Sequence, residues 1–328
     1  ANGGYAVPYG DDDLMGEVRD LIRTLFEAPE AAVYLVATGT AANSIALATL
    51  SQPWQTIFCT PLAHIHTDEG NAPEFYTGGA KLTLVGEADK MTPAELEAAI
   101  NGWTKGDVHV SQHGPLALTQ LTERGRVYSL DELSALTDVT RAHGLASFMD
   151  GARFANALEA LGCTPAEMTW QAGLDAVSLG GSKNGCLGVE AVIFFDPAHA
   201  WEFELRRKRA GHLFSKHRYL SAQMLGYLTD GLWRRAARMA NDKAARLAEG
   251  LRGVRGAHFP FQPQANMIFA TLPRAAHQRL KAQGAAYGLY EGPLESGDPE
   301  EPLLMRLVCD WSITEEEIDR FVRIAKDD

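Results

Sequence analysis

The sequence predicts an α/β protein: a sheet covered by helices in a large domain, then a smaller C-terminal domain. Two patterns predict it. Apolar runs of strand length alternate with helix-like segments through most of the chain, and the texture changes from about Tyr219. The length, 328 residues, suits about two domains with a substantial core.

The strand-like runs are Ala32-Ala37, Thr56-Cys59, Leu82-Val85, Val108-Val110, Ala146-Met149, Ala176-Leu179 and Ala191-Phe195. Between them, Thr92-Pro93-Ala94-Glu95 reads as a capped helix start and Ser129-Leu130-Asp131-Glu132 as a capping box. Both helices are expected to cross over between sheet strands. A long Ala-, Arg- and Leu-rich stretch from Tyr219 through Arg252 has helical periodicity, and short strands follow at Met267-Thr271 and Met305-Val308. The domains are placed at 1–240 and 241–328. The cluster Arg206-Arg207-Lys208-Arg209 reads as a solvated helix face.

With 46% hydrophobic and 22% charged residues, the composition is that of a soluble globular protein, and disorder is not indicated. A formal charge of -12 disfavours nucleic acid and anionic membrane and favours a small-molecule partner. Cys59, Cys163, Cys186 and Cys309 form no CxxC pair, so neither zinc nor a disulfide framework is suggested; the expected setting is reducing and cytoplasmic. No apolar run approaches a membrane span, and the start Ala1-Asn2-Gly3-Gly4 lacks the regions of a signal peptide. The chain also begins without an initiator Met.

Four segments carry chemistry. In Ala176–Gly185 a strand runs into a small-residue turn that presents Lys183. This lysine reads either as an imine-forming cofactor anchor, neutral part of the time in an enclosed or cation-rich site, or as a loop-tip lysine. In Leu145–Arg153, Asp150 ends a buried strand, where ligands of open α/β sheets gather. It could hold a pyridinium nitrogen protonated, with Arg153 near the cofactor's phenolic oxygen or a substrate carboxylate; equally it could cap a helix beside a surface arginine.

Gly39 and Thr40 sit in a strand, Gly-turn, helix sequence whose free N–H groups suit a phosphate, although such turns also occur without ligands. His64, His66, Asp68 and Glu69 follow another strand. Two His at this spacing share a strand face without a third metal ligand being specified. No metal is expected, and the sharper reading makes His64 an aromatic stacked on a cofactor ring and placed for proton transfer.

Taken in order, these segments resemble the L-threonine aldolase family of fold-type I pyridoxal-phosphate (PLP) enzymes, in the low-specificity branch that includes phenylserine aldolases. The resemblance runs from about Pro8 to Trp311. It is carried by Pro8-Tyr9-Gly10-Asp11-Asp12, Gly39-Thr40-Ala41-Ala42-Asn43, Asp68-Glu69 with Ala72-Pro73-Glu74-Phe75, Met149-Asp150-Gly151-Ala152-Arg153-Phe154, Gly180-Gly181-Ser182-Lys183-Asn184-Gly185 and Ser215-Lys216-His217-Arg218.

The resemblance implies a transferase-like large domain with a mostly parallel central sheet and a smaller C-terminal α/β domain. It also implies PLP held as a Schiff base on Lys183, Asp150 on the ring nitrogen, Arg153 near the ring oxygen, His64 stacked on the ring, and Gly39, Thr40 and Arg218 on the phosphate. Arg306, in Met305-Arg306-Leu307-Val308, would grip the substrate carboxylate. Family members begin with a further segment bearing a Ser or Asp-Asn near the active site, and this chain starts after it. His66 receives no catalytic role.

The expected reaction is retro-aldol cleavage of a 3-hydroxy amino acid (threonine, allo-threonine or phenylserine) to glycine and an aldehyde. His64 is the first base and Glu69 the second. The alternatives are a β-eliminating lyase or aminotransferase on the same fold, or a non-catalytic scaffold that retains it. A homodimer or homotetramer with shared active sites is implied; Tyr9 and Asp11–Asp13 could be supplied across that interface or from the same chain.

Overall fold

In the computed structural model residues 3–290 and 292–326 are described. Ala1 and Asn2, part of the start read above for a signal peptide, lie outside them. Of the described residues, those up to Glu123 and Tyr128–Trp233 form one compact unit; Arg124–Val127 and those from Arg234 onward form a second.

The first unit is built on seven strands: β1 (Ala32–Val36), β2 (Gln55–Cys59), β3 (Lys81–Leu84), β4 (Gln112–Thr119), β5 (Ser147–Gly151), β6 (Ala176–Gly180) and β7 (Glu190–Phe194). Their order across the sheet is β1-β7-β6-β5-β4-β2-β3. Only β7 runs against its neighbours, β1 and β6; all other pairs are parallel. The mostly parallel sheet is therefore present. β1, β5, β6 and β7 are buried along their whole lengths, which is why they read as near-continuous apolar runs rather than as alternating patterns.

Helix Gly39–Leu50 joins β1 to β2 and is buried from Ala41 to Thr49, as its apolar, Ala-rich sequence requires. The helices between β3 and β4 (Pro93–Asn101) and between β4 and β5 (Leu130–Ala142) both begin with capping boxes, Thr92 with Glu95 at the expected capped start and Ser129 with Glu132 as expected.

Four local expectations are corrected. Val108-Val110 is a turn, not a strand: Asp107 Oδ1 accepts from His109 N, and Gln112 Nε2 donates to the carbonyls of Asp107 and Val110, so local side chains satisfy its backbone. The strand here is β4. The stretch Tyr219–Arg252 is two helices, Arg218–Leu228 and Leu232–Arg252, broken where Asp230 takes φ 52°.

His64 and His66 lie on a short helix, His64–Thr67, so they do not share a strand face; His66 is exposed. Finally, Arg207 is buried rather than solvated. It donates to Leu35 O at 3.2 Å, pairs with Glu204 at 2.8 Å, and lies over the Tyr34 ring.

The second unit carries a three-stranded antiparallel sheet of β8 (Met267–Pro273), β9 (Gly288–Leu289) and β10 (Pro302–Val308), in the order β8-β10-β9. Its core packs Leu247, Leu251, Ile268, Leu280, Met305 and Ile318 together. Among the described residues no helix is long and apolar enough to cross a membrane.

Candidate active site

Asp150, next to last in β5, is 5% exposed, and an ion buried that deeply costs several kcal/mol unless it is bonded. Two donors meet it. Ala152 N donates to Oδ1 at 2.9 Å and Asn43 Nδ2 to Oδ2 at 2.8 Å. The helix that follows, Phe154–Leu161, has Arg153 at its N-cap and no side-chain cap bond, so the helix-capping reading of Asp150 falls away.

Asn43 Nδ2 also donates to Glu69 Oε1 at 2.8 Å, so its two N–H groups join two carboxylates. Ser178 on β6 donates to Asn43 Oδ1 at 3.4 Å and accepts from Gly151 N at 3.0 Å, which orients the amide. An interior Asn costs its helix about 0.5 kcal/mol relative to Ala. Each bond to a charged acceptor contributes about 1.5–3 kcal/mol, so the bonds win.

Glu69 Oε1 also contacts His64 Nδ1 at 2.8 Å. Because an ionised carboxylate only accepts, Nδ1 carries the proton and Nε2 is left as the titrating nitrogen. The Glu69 bond raises His64 above the ordinary histidine value, aided by the charges of Glu69 and Asp150 and opposed by burial and by the Lys183 charge. Burial pushes Glu69 up in turn, against its bonds from His64 and Asn43.

Glu123, in the loop that follows β4, accepts His64 N–H at 2.8 Å. Burial pushes its carboxyl up to about 7. His64, Glu69 and Asp150 bring one ligand atom each within 4.8 Å of one another. The Asn43 N–H groups point at both carboxylates, where a cation would have to sit, so this donor set suits a proton relay better than a metal.

Lys183 lies on the 3-10 turn Ser182–Asn184 that follows β6, and its side chain is exposed in the single chain. Gly39 and Thr40 form the first turn of helix Gly39–Leu50, capped by Thr38, whose Oγ1 accepts from Ala41 N at 3.2 Å. First-turn N–H groups have no partner within a helix, which leaves those of Gly39 and Thr40 for an anion. Arg153 is half-buried. Arg218 begins helix Arg218–Leu228; it donates from Nη1 to Gly4 O at 2.9 Å, while its Nε is buried without a partner.

Arg306 belongs to the second unit, on β10, with Nη2 3.3 Å from Met267 Sδ and a buried Nε that has no partner.

The structure thus joins His64, Glu69 and Asp150 through Asn43, with the Lys183 charge acting on His64. Sequence reading gave no role to Asn43, Ser178, Glu123 or Glu190. A polar residue inside an Ala-rich helix was the available signal for Asn43, and a lone acid just before the run Ala191-Phe195 was the signal for Glu190. Glu123 sits in a charged loop where nothing local marks it.

The beta-eliminating lyase family matches residues 1–274 of the chain. A low specificity L-threonine aldolase of Pseudomonas aeruginosa is 40% identical over 329 residues, covering 100% of this chain and 90% of that protein. Another, from a Pseudomonas species, is 40% identical over 317 residues, covering 96% and 88%. Among solved structures, a Leishmania major threonine aldolase superimposes with TM-score 0.90 at 28% identity, covering 99% of this chain and 92% of that one. A serine palmitoyltransferase of Sphingomonas wittichii, 16% identical with TM-score 0.68 and covering 97% of this chain and 76% of that one, shares the fold.

Proposed function

Since the chain belongs to the beta-eliminating lyase family and, within it, to the L-threonine aldolases, we propose that it is a PLP-dependent aldolase that cleaves L-3-hydroxy-α-amino acids to glycine and an aldehyde. Its substrate is threonine, allo-threonine or phenylserine. The observation that carries this reading is the hydrogen-bonded chain from half-buried His64 through buried Glu69 and Asn43 to buried Asp150, which links a proton-accepting ring to a carboxylate at the end of a parallel strand.

The residues fit the cofactor on the chemistry of their donors. Asp150 offers a buried carboxylate for a protonated ring nitrogen, Lys183 an amine for a carbonyl, and Gly39 and Thr40 free N–H groups for a phosphate. Arg218, with its buried unpartnered Nε, is a further phosphate contact, and Arg153 serves the ring oxygen. Bound PLP supplies an electron-accepting ring that stabilises the negative charge left on Cα when the Cα–Cβ bond breaks.

Asn43 donates to both Asp150 and Glu69, so it holds the two carboxylates side by side and turns Asp150 toward the place a ring nitrogen would take. His64, with Nδ1 held by Glu69, takes the β-hydroxyl proton at Nε2, directly or through water, and Glu69 stabilises the imidazolium that results. Arg306 binds the substrate carboxylate with its planar fork and so fixes which Cα bond is weakened. The functional unit is a homodimer or homotetramer whose subunits share active sites.

Incubation of the PLP-supplied chain with L-threonine, L-allo-threonine and L-phenylserine tests the reading. Glycine and the matching aldehyde in equal amounts are expected. A keto acid as product would show β-elimination or transamination in place of aldol cleavage.

A further inference from the structure

β7 runs antiparallel to β6, and its first residue, Glu190, stands opposite Gly180 at the end of β6. Glu190 is 5% exposed, and its side chain turns onto the loop that carries Lys183. Its Oε2 accepts from Gly181 N at 3.0 Å, and the Ser182 side chain bonds to it as well. Ser182 Oγ in turn accepts from Val189 N at 3.1 Å, so strand and turn are tied in both directions.

The other side of the turn is held separately. Asn184 Nδ2 donates to Tyr227 OH at 2.8 Å and to Trp233 O at 2.9 Å, and Tyr227 OH donates to Gly180 O at 3.1 Å. Gly181 is required beneath the clamp, because a Cβ there would lie 2.7 Å from Val189 O. Lys183 is therefore an exposed side chain on a backbone fixed at the residues on either side of it. The catalytic scheme above gives the buried acid no task.

We infer that Glu190 is a positioning residue for Lys183: it fixes the Ser182–Asn184 turn through Gly181 N–H and Ser182, and it places a negative charge behind the amine. The inference rests on Lys183 being the cofactor anchor. A carboxylate at this place favours a cation on the lysine nitrogen, so it tunes how readily that nitrogen gives up its proton. Burial pushes Glu190 up to about 7, with the Asp150 charge adding and the bonds from Ser182 and Gly181 and the Lys183 charge opposing. The other titratable groups facing it are Cys186 and Tyr227, both raised by burial, so neither supplies a competing charge at neutral pH. The tuning therefore changes around neutrality, as Glu190 gains its charge.

The test uses the full chain supplied with PLP, as parent, Glu190→Gln and Glu190→Ala. Hydrogen exchange of the Gly181–Asn184 amides is read by mass spectrometry, and the pH midpoint of the Lys183-dependent visible absorbance by titration. Glutamine keeps an acceptor and loses the charge, whereas alanine loses both. Exchange should rise roughly tenfold in Glu190→Ala and stay within about threefold in Glu190→Gln. The absorbance midpoint should fall by about half a pH unit or more in Glu190→Gln.

A purely structural residue would leave the Glu190→Gln midpoint where the parent has it, and that result overturns the inference, as does unchanged exchange in Glu190→Ala. If Glu190→Ala does not fold, the Glu190→Gln midpoint decides. A failure of the anchor reading appears elsewhere: the parent then shows no visible band that Lys183→Ala removes, and the exchange arm alone judges the clamp.

Discussion

Asn43 and Asp150 are 107 residues apart in sequence and meet through a hydrogen bond of 2.8 Å, from the helix after β1 to the end of β5. The same nitrogen bonds Glu69, so one side chain keeps two carboxylates of like charge together. Asn43→Leu preserves the shape and removes both donors. Unfolding in urea should show a loss of about 3 kcal/mol, and PLP should bind more weakly. Stability and cofactor affinity equal to the parent's would show that the two acids need no mediator.

The bond from Glu69 raises His64. Glu69→Gln removes the charge, so His64 should lose its proton at lower pH. Because the scheme requires a neutral Nε2, the acidic limb of kcat/KM should move down by about one pH unit. An unmoved limb would mean that another group accepts the proton.

Burial pushes Glu123 up to about 7 from an ordinary value of 4.5. The folded chain holds this proton more tightly than the unfolded one. Its contribution to stability is therefore full below about 4.5 and is lost as pH rises through about 7. Glu123→Gln cannot ionise and escapes the loss. Between about pH 5 and about pH 8 its unfolding free energy should gain on the parent's by about 2–3 kcal/mol. Urea unfolding at both pH values checks this, and parallel pH dependences would contradict it.

Arg306 has a buried, unpartnered Nε on β10. With a substrate carboxylate as its partner, Arg306→Lys keeps the charge and loses the planar fork. KM for threonine should rise by roughly tenfold or more with a smaller change in kcat. An unchanged KM would remove Arg306 from substrate binding.

The sheet was legible in the sequence because β1, β5, β6 and β7 are buried on both faces and so appear as apolar runs. Val108-Val110 misled because two valines resemble a strand, although the segment is a turn satisfied by Asp107 and Gln112. The break at Asp230 was hidden by helical periodicity on both sides of it. For the candidate site, sequence reading singled out His64, Asp150 and Lys183 because each follows or ends a strand within a recognisable segment. Asn43, Glu123 and Glu190 act through partners 26 to 107, 59 and 9 residues away, and no local pattern records a contact of that kind.

The central claim is that Lys183 carries the cofactor. Borohydride reduction of the PLP-loaded chain, followed by peptide mass spectrometry, tests it directly. The account predicts a pyridoxyl adduct on Lys183 and on no other lysine, absent from Lys183→Ala; an adduct on a different lysine, or none at all, would contradict it.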